Sequence, residues 1–247
     1  MGFKDLDASD ASGGDFRWWE RVVMEQLAAI ERGETLGQKV YARLRRAMIG
    51  GAFQPGERLT IRSLARLMEV SPTPAREALN RLVAEGALEF EQNRTYRLPR
   101  LYPERARELY DIRVPLEEMA ARAAFPHLGR AHIDMLKKNV AGRIAALDRD
   151  DFSTSLQLNR DFIFAILEAA ELPIALRILE SLWLLAGPML HLCYPEYAID
   201  RIGIQRAREQ IAAIEAGDVE ALCLALRAER EEAATLIIAK LERADTR

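Results

Sequence analysis

Apolar positions set the outline of the chain. From Asp15 to Arg32, Phe16, Trp19, Val23, Leu27 and Ile30 recur at helical spacing, with Asp15 placed as N-cap and Gly33 as C-cap. A second helix is predicted from Leu36 to Ile49, with Val40, Leu44, Ala47 and Met48 on its apolar side. Gly50-Gly51 stops it and Pro55-Gly56 makes a turn. Thr60 caps a brief helix, IRSLARLM, and EVS turns the chain. In SPTPAREALNRL, Ser71 to Leu82, Ala75, Leu79 and Leu82 mark a further helix that ends at Glu85-Gly86. The runs ALEFE and TYRLP, joined by QNR, read as short strands. Beyond Pro99 only helices are predicted, near 103–125, 129–148, 151–171, 173–194, 197–216 and 218–243, punctuated by Pro126, Gly129, Pro173 and Gly217.

The order helix, helix, turn, helix, hairpin is that of a winged helix-turn-helix. Six long helices with short connections make an antiparallel bundle. The expected fold is therefore mainly α: an acidic tail and extra amphipathic helix over 1–34, a winged helix-turn-helix over 35–100, and an all-helical domain over 101–247. Pro115 and Pro188 fall inside predicted helices, where a proline costs about 3 kcal/mol and kinks the axis. Kinks there are expected to splay the bundle and open a cavity.

Composition adds limits. The chain of 247 residues is 49% hydrophobic and 30% charged, as in ordinary globular proteins. No run of eighteen apolar residues predicts a transmembrane helix, and the acidic start MGFKDLDASDASGGD has no secretory h-region. Cys193 and Cys223 form no metal or disulfide pattern and read as small core residues, so a reducing cytoplasm is expected. Charge is unevenly spread. Twelve basic against six acidic residues between Thr35 and Arg100 leave that segment at +6, so the remainder carries −9 within an overall −3. One basic segment beside an acidic remainder predicts an anionic partner for that segment alone.

The second helix of a helix-turn-helix enters the DNA major groove with its N-terminal residues on base edges. Here that end is Ser71 to Arg76. Pro72 and Pro74 remove N–H groups from it, while Ser71 and Thr73 supply hydroxyls and one of them a cap. Arg76, one turn on, suits guanine O6 and N7. Arg62 in the preceding helix is placed near the backbone or an edge base, and Asn93 and Arg94 at the hairpin turn can lie along a minor groove or a phosphate.

The run GGAFQPGERLTIRSLARLMEVSPTPAREALNRLVAEGAL resembles the DNA-binding domain of the GntR family of bacterial transcription regulators. LYDIRVPLEEMAARAA resembles the opening of the FCD ligand-binding domain of the FadR-type branch. The resemblance implies a cytoplasmic homodimer on a palindromic double-stranded operator, in the first instance a repressor, whose affinity a small organic effector modulates. Arg62, Ser71, Thr73 and Arg76, with the wing at Asn93 and Arg94, match the family's DNA-contact positions. One departure stands out: the family usually has an arginine where this chain has Pro72, which predicts a shifted half-site preference.

Many FCD domains hold a divalent metal through one Asp or Asn and three histidines. The matching positions here are Asn159, Ile163, Ala207 and Glu229, so no metal and no cofactor are expected. Arg113 shares a helical face with Leu109, Leu116 and Ala120 and is expected to point inward. Two readings stay open for it: an ion pair with Glu229 in the former metal space, or bidentate capture of an effector carboxylate. With Asn159 and Glu229, it forms the core of the candidate effector site, and Trp183, His191 and Tyr194 near Pro188 are further candidates. Apolar lining residues suggest a larger or more hydrophobic effector than a small hydroxy-acid. The chain lacks an array for Ser-His-Asp, Cys-His or two-carboxylate metal catalysis, so an enzyme is not expected. An architectural or effector-blind DNA-binding regulator is the alternative.

Overall fold

A computed structural model of the chain describes residues 35–53, 55–91, 95–100, 102–193 and 201–245. The helix expected over 15–32 lies outside them. Leu36–Arg247 forms one compact unit.

The first helix, α1, spans Leu36–Ile49 and buries Val40, Leu44 and Met48 of the predicted stripe, with Ala47 half-buried. β1 follows at Arg58–Thr60, then α2 at Ile61–Leu67 and α3 at Pro72–Ala84. Thr60 caps α2 as expected: its hydroxyl accepts from the Ser63 N–H, and the Ser63 hydroxyl accepts from the Thr60 N–H, a reciprocal box that satisfies two free donors. The turn between α2 and α3 carries Glu69 in the left-handed region at φ 54°. β2, Glu89–Glu91, and β3, Thr95–Arg97, form the hairpin. β3 is the middle strand, antiparallel to both others, with Tyr96 opposite Leu59 of β1 and Phe90 of β2. The strand β1 was not expected. It is three residues long with Leu59 alone buried, too short for alternation to register.

The helical domain contains α4 (Pro103–Ala124), α5 (Arg130–Leu147), α6 (Phe152–Leu167), α7 (Pro173–Leu192), α8 (Ile202–Ala216) and α9 (Val219–Asp245). Their ends lie within about five residues of the expected ones. Short 3-10 turns at Phe125–His127 and Glu168–Ala170 close α4 and α6. Pro115 and Pro188 each remain inside one continuous helix. The apolar space beside Pro188 is not in the middle of the bundle. It is a half-open cavity of about 310 Å³ between the two domains, lined by Met48, Leu98, Leu109, Leu185 and Met189 among others.

α7 is long and apolar enough to cross a membrane by composition, since Pro173–Leu190 has a mean hydropathy of 1.3. Its apolar side chains are used inside the protein instead: Leu179, Trp183 and Ala186 lie in the bundle core, and Leu184 lies in the core of the winged helix. The backbone fit at this junction is close. A Cβ on Gly187 would stand 2.6 Å from the Met48 carbonyl oxygen, so only glycine lets α7 approach α1. Glu180 of α7 also pairs with Arg45 of α1 at 3.4 Å and with Arg160 of α6 at 3.3 Å.

Candidate nucleic-acid interface and buried polar site

Pro72 is the first residue of α3 and Pro74 the third. The first N–H groups of a helix have no partner within it, so neither proline removes a helical hydrogen bond. Pro74 is buried and Pro72 exposed. Ser71 occupies the N-cap position, but its side chain makes no capping bond, so the expected cap is absent and the hydroxyl stays available on the surface. Thr73 and Arg76 are exposed on the same end of α3, and Arg62 is exposed on α2. A shallow hollow beside Arg76 is lined by Ile61, Asn80, Phe90 and Tyr96, so the helix and the wing share one surface. Tyr96 holds the two together, donating to Asn80 Oδ1 at 2.7 Å.

Not every arginine here is open. Arg81 pairs with Glu85 at 3.3 Å and lies 3.9 Å over the Tyr41 ring, while the Tyr41 hydroxyl donates to Glu85 at 2.7 Å. Burial and that bond push the Tyr41 hydroxyl up to about 12. Arg58 and Arg97 share Glu91. By contrast, Arg62, Arg66 and Arg76 have no carboxylate partner among the described residues. Asn93 and Arg94 lie outside the described residues. Arg66 was not singled out from sequence, although it stands one helical turn beyond Arg62.

The second constellation lies inside the helical domain. Arg113, Glu117, Arg143, Ser155, Asn159, Gln210, Glu229 and Arg230 are all buried to below a tenth exposure. Glu117 is the hub. It accepts from Arg113 Nε at 2.6 Å, Arg230 Nε at 2.7 Å and Trp183 Nε1 at 3.1 Å. Arg113 also stacks 3.8 Å over the Trp183 ring. Burial alone would raise the Glu117 carboxyl, but Arg113 and Arg230 outweigh it and hold the group below the usual carboxylate range. Glu229 takes Arg230 at 3.3 Å and the Gln210 amide at 2.9 Å.

The expected Arg113–Glu229 pair is therefore not formed. Glu117, one turn from Arg113 on the same helix, is the nearer partner, and Arg230 links it to Glu229. The expectation of an apolar lining with few polar groups is also overturned, because a connected polar core occupies the bundle. Glu117, Arg143, Gln210 and Arg230 were missed from sequence; the signal for Glu117 was its i+4 spacing from Arg113. Trp183 and Asn159 are buried. Tyr194 and the His191 side chain lie outside the described residues.

The matched positions do not fit the metal that many FCD domains hold. Ile163 and Ala207 are fully buried and offer no donor atom, and one Glu229 oxygen is already engaged by Gln210 and Arg230. Among the described residues, no three His, Cys, Asp or Glu side chains cluster to hold an ion.

Residues 36–97 match the family described as bacterial regulatory proteins, gntR family, and residues 108–231 match the FCD domain. The HTH-type transcriptional regulator McbR of Escherichia coli (strain K12) is 33% identical over 179 residues, covering 71% of this chain and 81% of McbR. The gluconate operon transcriptional repressor of Bacillus licheniformis is 30% identical over 124 residues, covering 47% of this chain and 49% of that protein. The solved structure of E. coli McbR/YncC superposes with a TM-score of 0.76 at 29% identity, over 86% of this chain and 99% of that one. With a winged helix that carries open arginines, a helical domain behind it and these matches across both, the chain belongs to the GntR family as a DNA-binding transcription regulator with an FCD domain.

Proposed function

We propose that this regulator is a repressor that binds a palindromic operator as a homodimer, and that a small organic effector in the helical domain changes its affinity for DNA. Arg62, Ser71, Thr73 and Arg76, with Asn93 and Arg94 on the wing, are the proposed DNA contacts. Arg113, Asn159 and Glu229, with Trp183, His191 and Tyr194, are the proposed effector site. The Arg113 Nη1 and Nη2 donors, the Asn159 Oδ1 and the Glu229 Oε1 are buried without partners, which supports a ligand there.

The observation that carries the coupling is on α7. Trp183 donates to Glu117 in the polar core, and its neighbour Leu184 is fully buried in the winged-helix core. A ligand that shifts Trp183 must move Leu184 with it. Gly187, one turn on, rests against the backbone of α1. The protein acts by binding rather than catalysis, in the cytoplasm; the gluconate operon relative is named a repressor, which supports that sign of regulation.

The test is fluorescence anisotropy on an operator isolated by selection from random-sequence DNA. A metabolite mixture fractionated by size is titrated into the complex. Release of DNA from the wild type by one fraction, with release lost in a Trp183→Phe variant that still binds operator, supports the reading. Affinity that no fraction alters supports the effector-blind alternative.

A further inference from the structure

The buried charges of the bundle do not cancel. Arg113 and Arg230 are balanced by Glu117 and Glu229, which pair with them directly. Arg143 is a third buried arginine, 2% exposed, and no ion pair reaches it among the described residues. Its Nε and Nη1 atoms are buried without a hydrogen-bond partner. An unpaired buried cation is expensive, and proteins retain one where something else completes it.

Helix register places this cation. Asn139 donates to the Leu158 carbonyl at 3.0 Å, and the Asp151 N–H donates to the Ala146 carbonyl at 2.9 Å, which sets Arg143 of α5 level with Ser155 of α6. Lys137–Glu215 and Arg201–Asp148, both at 2.5 Å, set it level with Ala207 of α8. Helical side chains lean toward the N-terminus, so the guanidinium reaches back about one turn, to the level of Asn159 and Gln210. Asn159 Oδ1 and Gln210 Oε1 are themselves buried without partners, as is Glu229 Oε1. Donors on one side and acceptors on the other stand unfilled at the same depth of the bundle.

We infer that Arg143 is the anion anchor of this domain. Its Nη1 donates a charge-assisted hydrogen bond to a carboxylate oxygen, while Asn159 and Gln210 accept a hydrogen bond from a donor group beside that carboxylate. A fixed guanidinium thereby supplies the positive charge at a site whose Asn159, Ile163, Ala207 and Glu229 cannot hold a divalent ion. A permanently charged and weakly hydrated guanidinium suits arginine to that buried role. One negative charge on the ligand also brings the buried group to neutrality. The inference deepens the effector reading above and rests on it for its regulatory meaning, though not for binding itself.

Isothermal titration calorimetry on the full chain tests it, with acetate and glycolate as probes at fixed ionic strength. Both carry one carboxylate, and glycolate adds one hydroxyl donor. The wild type should bind both, glycolate about tenfold more tightly, the worth of one hydrogen bond of about 1.4 kcal/mol. Arg143→Met should abolish binding of both, and Asn159→Ala should lose the preference for glycolate while keeping acetate. Ligand-free Arg143→Met should melt no lower than wild type, since it removes an unpaired charge. Absence of heat with either probe, unchanged binding in Arg143→Met, equal affinity for the two acids, or a large drop in its melting temperature would each overturn the assignment. Anion binding without any change in operator affinity would keep this inference and reject effector control. Effector-dependent DNA release with anion binding absent would do the reverse.

Discussion

Two groups of arginines in this protein stand in opposite environments, and the contrast separates their tasks. On the winged helix, Arg62, Arg66 and Arg76 are exposed and have no carboxylate partner among the described residues. Water solvates each of them cheaply, so no carboxylate is needed, and none competes with a phosphate or a guanine edge. In the bundle, Arg113 and Arg230 are fully enclosed and each is tied to glutamate within 3.3 Å. Burial makes a partner obligatory there. In these two groups pairing follows the work: the open charges suit a polyanion, and the enclosed, paired ones hold the interior in one arrangement. Arg143, buried and without an ion pair among the described residues, belongs to neither group, which is why it is the proposed anion anchor.

The contrast breaks most visibly at Glu117. Glu117→Gln leaves Arg113 and Arg230 without their shared anion and should cost about 3–5 kcal/mol in urea unfolding. The same group sets an acid limit. Its carboxyl titrates lower in the folded chain than in the unfolded one, so its contribution is complete above the ordinary carboxylate value of about 4.3 and is lost as pH falls through the lower folded value. Urea midpoints measured downward from pH 6 should fall in the wild type and fall less in Glu117→Gln.

Leu184→Ala should cost about 2–5 kcal/mol, because it opens a cavity in the winged-helix core from a helix of the other domain. Differential scanning calorimetry would check it. Against these, surface changes should spare stability. Arg76→Ala should weaken operator binding by roughly 1–3 kcal/mol and relax base preference without moving the melting temperature. Pro72→Arg is the smallest effect. Position 72 is exposed at the first residue of α3, and the added charge should steepen the salt dependence of DNA binding by roughly 0.9 in log–log slope.

Much of this architecture is legible in the residues themselves. Helix ends follow the caps and breakers: Thr60, Gly86 and Gly217 stand where the chain turns, the last two with φ of 72° and 71°. Inward orientation was also readable, since Arg113 shares a face with Leu109, Leu116 and Ala120, and Asn159 with Leu156, Ile163 and Ile166, and both are buried. Partnership was not. Helical periodicity reports which side of a helix faces inward but carries no record of depth along a neighbouring helix, so Glu229 stands as the candidate partner, while the i+4 spacing of Glu117 on the same helix is the signal left unread. Leu184 was hidden for a related reason. It lies among residues that all read as core, and nothing local reveals that it belongs to a different core from Trp183 beside it.

The central claim is that the open arginines, not the enclosed ones, meet DNA. The direct measurement is the slope of log K against log salt concentration for the selected operator, compared among wild type, Arg76→Ala and Arg143→Met. The slope should become shallower by up to about 0.9 in Arg76→Ala, to the extent that it neutralises a phosphate, with a loss of affinity at every salt concentration, and should stay at the wild-type value in Arg143→Met. An unchanged affinity in Arg76→Ala, or a shallower slope in Arg143→Met, would contradict it.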